Sequence, residues 1–156
     1  MKPYKFTLSR AFSVNDMYAN KLRVRDHASQ KWVGGGRMRT QAYNLWRDRS
    51  GNEMLTQGPR PRFEVPVRVS VQIGVTWSTG SSVNFIPDNF DGDNTLKPIC
   101  DLLKKMGVVS DDRWQAIPEH AVCVTPDVVG VVVTVRPTGY VFKGKGQDIE
   151  RLYHGD

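Results

Sequence analysis

The sequence predicts a single α+β domain, a mixed β-sheet with two main helices, and three observations carry that prediction. Phe63, Val65, Val67, Val69, Val71, Ile73, Val75 and Trp77 are apolar at every second position, the period of a strand with one buried face. Leu96, Ile99, Cys100 and Leu103 recur at spacings of three and four, the period of a helix packed on one side. Val128 to Val135 is apolar at almost every position, which suits a strand covered on both faces. At 156 residues, 39% apolar and 24% charged, the chain is long enough to bury a real core.

Taken in order, Tyr4, Phe6 and Leu8 alternate with polar residues as a first strand. A loop from Ser13 to Arg39 follows, with Gly34, Gly35 and Gly36 as its hinge. Thr40 caps a helix that runs through Arg49 and carries Tyr43 and Trp46. The alternating run from Phe63 to Trp77 forms one long strand or a hairpin. The next helix starts near Asn94 and ends on Lys104, Lys105 and the C-cap glycine Gly107. Pro98 is tolerated only in its first turn and moves the start one or two residues later. Val108 and Val109 lead back to Asp111 and Asp112, and Ala121–Val124 and Val128–Val135 complete the sheet. The domain is expected over residues 1–142, followed by a polar tail over 143–156 with the composition of a disordered segment. No internal repeat or low-complexity stretch appears.

Charge is placed unevenly. The chain carries 22 Lys and Arg against 16 Asp and Glu, a net charge of +6. Between Lys21 and Arg62 ten basic residues face three acidic ones, which makes that segment a candidate phosphate-binding surface. The acidic residues concentrate elsewhere, at Asp91, Asp93, Asp111 and Asp112. Two aspartates one residue apart point to the same side at a strand end, and hard cations such as Mg²⁺ take carboxylate oxygens while keeping several waters. Asp91 and Asp93 with one further carboxylate therefore read as a metal site open to a phosphate. Lys97, four residues after Asp93 and off the apolar stripe, is expected to hold its ammonium beside those carboxylates. Asp101 reads as an exposed residue paired with Lys97 or Lys105 at helical spacing.

These residues resemble the RusA family of Holliday-junction resolvases. The matching features are the Asp-x-Asp-Asn of Asp91, Asp93 and Asn94, then Lys97, the helix with Asp101, Leu102 and Leu103, Gly107, and the pair Asp111-Asp112. Ser13, Asn15 and Tyr18 are similar to the family's Ser-x-Asn-x-x-Tyr element after a first strand. The resemblance implies a RusA-like fold and a homodimeric, Mg²⁺-dependent endonuclease, with Mn²⁺ as a substitute, that makes paired cuts in four-way DNA junctions during recombination and repair. It implies Asp91, Asp93 and Asp112 as metal-binding aspartates and Lys97 as the essential lysine, leaving Asp111 the less certain member of its pair. Asn15, Lys21, Arg23, Arg25, Lys31, Arg37 and Arg39 are the expected DNA contacts. Gly92, Phe12 and Pro98 depart from the family's pattern, and no basic residue stands in Pro87-Asp88-Asn89-Phe90. A non-catalytic DNA-binding protein that keeps the fold, and a nuclease for other branched DNA, are the alternative readings.

Other chemistries fit poorly. The triple glycine lacks the lysine and hydroxyl residue of a phosphate loop. His120 and Cys123 are spaced like half a zinc site with no second pair, and read as a strand-end histidine and a buried thiol. Asp88 to Asn94 fails as an EF-hand, and His27, His120 and His154 lie in no nucleophile motif. With two cysteines, no leader and no long apolar run, the expected setting is a reducing cytoplasm, bacterial or phage-infected, with no membrane partner.

Overall fold

The structure, a computed structural model, describes residues 2–79, 81–143 and 148–151. Its centre is a five-stranded sheet formed by β1 (Tyr4–Leu8), β6 (Val67–Thr79), β7 (Ser82–Phe85), β8 (Glu119–Val129) and β9 (Val131–Pro137). β9 lies between β1 and β6 and is antiparallel to both, whereas β8 pairs with β6 in parallel, so the sheet is mixed. Val131, Val132, Val133 and Val135 are buried, so β9 is covered on both faces at its start as expected, but Val128 and Val129 end β8 instead, with Gly130 (φ +75°) between the two strands.

Two helices cover this sheet. The first, α1 (Gln41–Thr56), starts where Thr40 accepts a hydrogen bond from the Tyr43 amide. It continues well beyond the expected end at Arg49, because Ser50, Gly51 and Met54 face inward and are buried. Gly51 is a contact and not a stop: a Cβ there would sit 3.1 Å from Met106 Sδ. The second, α2 (Leu96–Lys105), buries Pro98, Ile99, Leu102 and Leu103. Pro98 falls in the first turn, where the amide it lacks has no helical partner to lose. At the other end Gly107 (φ +72°) donates to Lys104 O and Val108 donates to Leu103 O, a Schellman cap sealed by the buried pair Leu103 and Val108.

The alternation from Phe63 to Trp77 forms a strand only from Val67. Pro66 precedes it, Val65 is exposed, and Phe63 makes one parallel bridge to Val109. The expected loop between Ser13 and Arg39 is a two-stranded ribbon. In it β2 (Tyr18–Asn20) pairs with β5 (Arg37–Arg39), and β3 (Arg23–Arg25) pairs with β4 (Trp32–Gly34). Both ladders share one register, and Lys21 N to Gly36 O and Gly35 N to Leu22 O bridge the gap between them. The three glycines are therefore built into the ribbon at φ between +79° and +86° and do not act as a hinge. A Cβ on Gly34 would lie 2.9 Å from Leu22 O.

Within the expected polar tail, β11 (Asp148–Arg151) pairs antiparallel with β10 (Tyr140–Lys143). Residues 144–147 and 152–156 lie outside the described residues. Among the described residues no helix is long and apolar enough to cross a membrane.

Candidate active site

The candidate site lies around the first turn of α2. Asp91 has extended backbone and ends no strand; it caps a 3₁₀ turn over Gly92–Thr95. Its carboxylate accepts from the Asp93 amide at 3.2 Å and from Asn94 Nδ2 at 3.0 Å. The strand alternation expected for Asp91 and Asp93 is thus replaced by a capped turn, because an aspartate followed by free amides satisfies them locally. Thr95, fully buried, closes the turn by donating to Gly92 O at 2.7 Å. Gly92 rests on the sheet, where a Cβ would stand 3.4 Å from Val124, 3.5 Å from Val122 and 3.7 Å from Ile73. These are ordinary van der Waals distances, so an added methyl would pack against the sheet there. The turn formed by Val14–Asp16, which carries Asn15, packs against this one and against α2.

Lys97 pairs with Asp101, at 2.6 Å, at the helical spacing expected, and its ammonium also reaches Asp112; among the described residues it makes no ion pair with Asp91 or Asp93, where it was expected. The other oxygen of Asp112 accepts from Lys104 Nζ at 3.0 Å, and Lys104 also binds Asp111 at 2.9 Å. Hydrogen bonds from Lys97 and then Lys104 hold the Asp112 carboxyl far below the ordinary carboxylate range, overcoming its partial burial. Burial works against the Lys97 ammonium, but hydrogen bonds to Asp101 and Asp112 outweigh it and lift its pKa above that of a free lysine. Both groups are charged near neutral pH.

Asp101 is a member of this cluster and not the exposed residue expected. Its side chain is 12% exposed, and it accepts a long hydrogen bond, 3.4 Å, from Tyr43 OH. Burial, followed by the Asp101 charge, pushes Tyr43 up to about 12. The guanidinium carbons of Arg39 and Arg47 lie over the Tyr43 ring, 5.8 and 5.6 Å from its centroid. Tyr18, Arg39, Arg47, Lys97, Asp101 and Asp112, with Lys104 and Lys105, line a cavity of about 460 Å³. Arg47 Nε is buried there without a hydrogen-bond partner. Sequence reading missed Tyr43, Arg47 and Lys104. The i, i+4 spacing of Lys97 with Asp101, and the seven-residue step from Lys97 to Lys104, were the available signal for the last.

Among the described residues no three His, Cys, Asp or Glu side chains come together as a metal-binding group. The donor chemistry suits a hard cation, but Asp112 is engaged by two ammonium groups and Asp91 by its own turn. Cys123 and His120 are both exposed on β8, so the expected buried thiol is not there. Asn15 donates its backbone amide to Ser13 Oγ, and Lys21, Arg23, Arg25, Lys31, Arg37 and Arg39 all lie exposed along the ribbon.

A mixed α+β domain with a lysine-carboxylate cluster beside a strongly basic projection defines the class to which the chain compares. The model of the family described as endodeoxyribonuclease RusA matches residues 21–136, well over half of the chain and inclusive of Asp91, Asp93, Lys97 and Asp112. The chain therefore belongs to the RusA endodeoxyribonuclease family, a family of phosphodiester-cleaving hydrolases. The Ser13–Tyr18 element lies outside the matched residues. A search of curated proteins returns no match.

Proposed function

We propose that the chain is a structure-specific endodeoxyribonuclease that resolves four-way DNA junctions by paired cuts, working as a homodimer in recombination and repair in the cytoplasm. The observation that carries this reading is the contact between Lys97 and Asp112, fifteen residues apart, inside the family match. Asp91, Asp93 and Asp112 are the residues we assign to a divalent cation, Mg²⁺ or in its place Mn²⁺. When bound, that ion supplies a more acidic water and neutralises charge on the phosphate. The chain's own residues do the remaining work. Lys97, held charged by Asp101 and Asp112, donates from Nζ to non-bridging phosphate oxygens as negative charge builds on them. Arg39 and Arg47, which line the same cavity, add positive charge to it. Lys104 neutralises Asp112 until a phosphate takes its hydrogen bonds.

The engagement of both Asp112 oxygens by lysines favours one second reading, a DNA-binding protein that keeps the fold and does not cut. A single experiment separates them: labelled four-way, three-way and linear DNA incubated with the protein, with and without Mg²⁺. Cleavage of branched DNA only with metal is the expected result, and binding without cleavage supports the second reading. Asp93→Asn, which removes one charge at nearly constant size, should lower cleavage by orders of magnitude while junction binding persists. Cutting at the parent rate under limiting Mg²⁺ would remove Asp93 from the site.

A further inference from the structure

The ribbon formed by β2, β3, β4 and β5 has no role in the cavity beyond its first rung. Tyr18 and Arg39, paired at its base, line the cavity that holds Lys97 and Asp112. From that rung seven residues of constant register lead to Arg25 opposite Trp32, so the ribbon reaches about 23 Å from the site at 3.3 Å per residue. Its strand residues beyond Tyr18 are exposed, including Trp32 at 63%, an unusual state for an ordered two-stranded element with so many apolar side chains. Between Tyr18 and Arg39 six cations stand against one acid, Asp26. A second copy of this chain laid against the ribbon would oppose like charges. Polyanionic DNA complements it. In the outer ladder, side-chain alternation puts Arg23, Arg25 and Trp32 on one face, and Gly34 opposite Arg23 leaves bare backbone there.

We propose that this ribbon is a groove-reading arm that lies in the major groove of the duplex leading away from the cut, with Arg23, Arg25 and Trp32 toward the base edges. A major groove is about 12 Å wide and admits a two-stranded ribbon. Arginine matches guanine O6 and N7 there, and an apolar side chain matches the thymine methyl. A reach of about 23 Å spans at most about seven base pairs at 3.4 Å of axial rise each, and fewer where the ribbon follows the inclined groove. The arm thus measures out a stretch of intact duplex beside the branch, whereas the cavity handles a single phosphate.

The inference rests on the reading of the chain as acting on DNA, and its test separates the two. Four-way junctions carrying guanines along each arm are bound by the full chain in EDTA and treated with dimethyl sulfate, which methylates guanine N7 in the major groove. The expected result is a continuous stretch of protection that starts at the branch and extends no more than about seven base pairs. Arg23→Ala with Arg25→Ala should abolish that protection. Trp32→Ala should shorten the protected stretch at its far end, and Trp32→Phe should restore it. Leu55→Ala, an exposed apolar change on α1, is the matched control and should keep the protection. Junction binding with no major-groove protection overturns the inference and leaves the nuclease reading standing, whereas absence of any DNA binding overturns both. Conversion of a dimer to a monomer by Trp32→Ala would make the ribbon an interface between copies and also overturn it.

Discussion

Asp112 shows how two neighbours fix one side chain's state. Lys97 and then Lys104 depress its pKa, so the carboxylate is more acidic folded than unfolded. By linkage its contribution is present above about pH 3.9, the unfolded value, and is lost as pH falls toward the lower folded one. Urea midpoints measured from pH 7 down to pH 2 should therefore fall more steeply for the parent chain than for Asp112→Asn, and parallel curves would mean the ammonium groups do not hold it in solution. The cysteines make a second contrast. Burial pushes the Cys100 thiol up to about 12, whereas Cys123 is exposed on β8. A thiol reagent at pH 8 should modify one cysteine in the native protein and both in denaturant. Rapid modification of both would show that the first two turns of α2 open.

At the scale of elements, the legible parts were those whose period is fixed by a single buried face. α2 was readable because its apolar stripe, terminal lysines and Gly107 agree with one another. β6 and β9 were readable because alternation and continuous burial have different signatures. The ribbon was not readable, since its strand residues beyond Tyr18 are exposed and its glycines look like a linker until the register is known. α1 runs past the expected end at Arg49 because Gly51 does not stop it: its small size makes room for Met106, on a segment about fifty residues later. For the candidate site, the residue types were legible but their partners were not. Asp101 finds Tyr43 only because α1 and α2 pack together. Neutralising Arg37 and Arg39 together tests the base of the ribbon. Each should remove one phosphate contact, so the salt slope of DNA binding should fall by about two, and an unchanged slope would exclude this rung from the interface. Arg37 also stacks on Tyr18, at 5.6 Å, so Arg37→Lys should only partly restore the parent behaviour.

For the molecule as a whole, paired incision of a nearly symmetric junction calls for two sites related by a twofold axis. Sedimentation at micromolar concentration should give a dimer. A monomer under those conditions would count against paired cutting by one assembly, while leaving single cuts by one chain untouched. A net charge of +6 predicts faster association with DNA at low salt, the rate falling as salt screens the basic face.

The pairing of β1 with β9 also governs when the fold can exist at all. Tyr4 to Leu8 find their partners only at Val131 to Val135, and β6 takes the same strand as its antiparallel neighbour. Contacts so far apart along the chain close late and slowly, since loop-closure entropy comes before any gain from pairing. During synthesis the first strand has no partner, and the long strand, able to pair with β7 and β8, keeps its β9-facing edge open until residue 137 has left the ribosome. A nascent chain stopped short of β9 has no central strand to join them, and is expected to aggregate or be degraded instead of leaving a partly active nuclease.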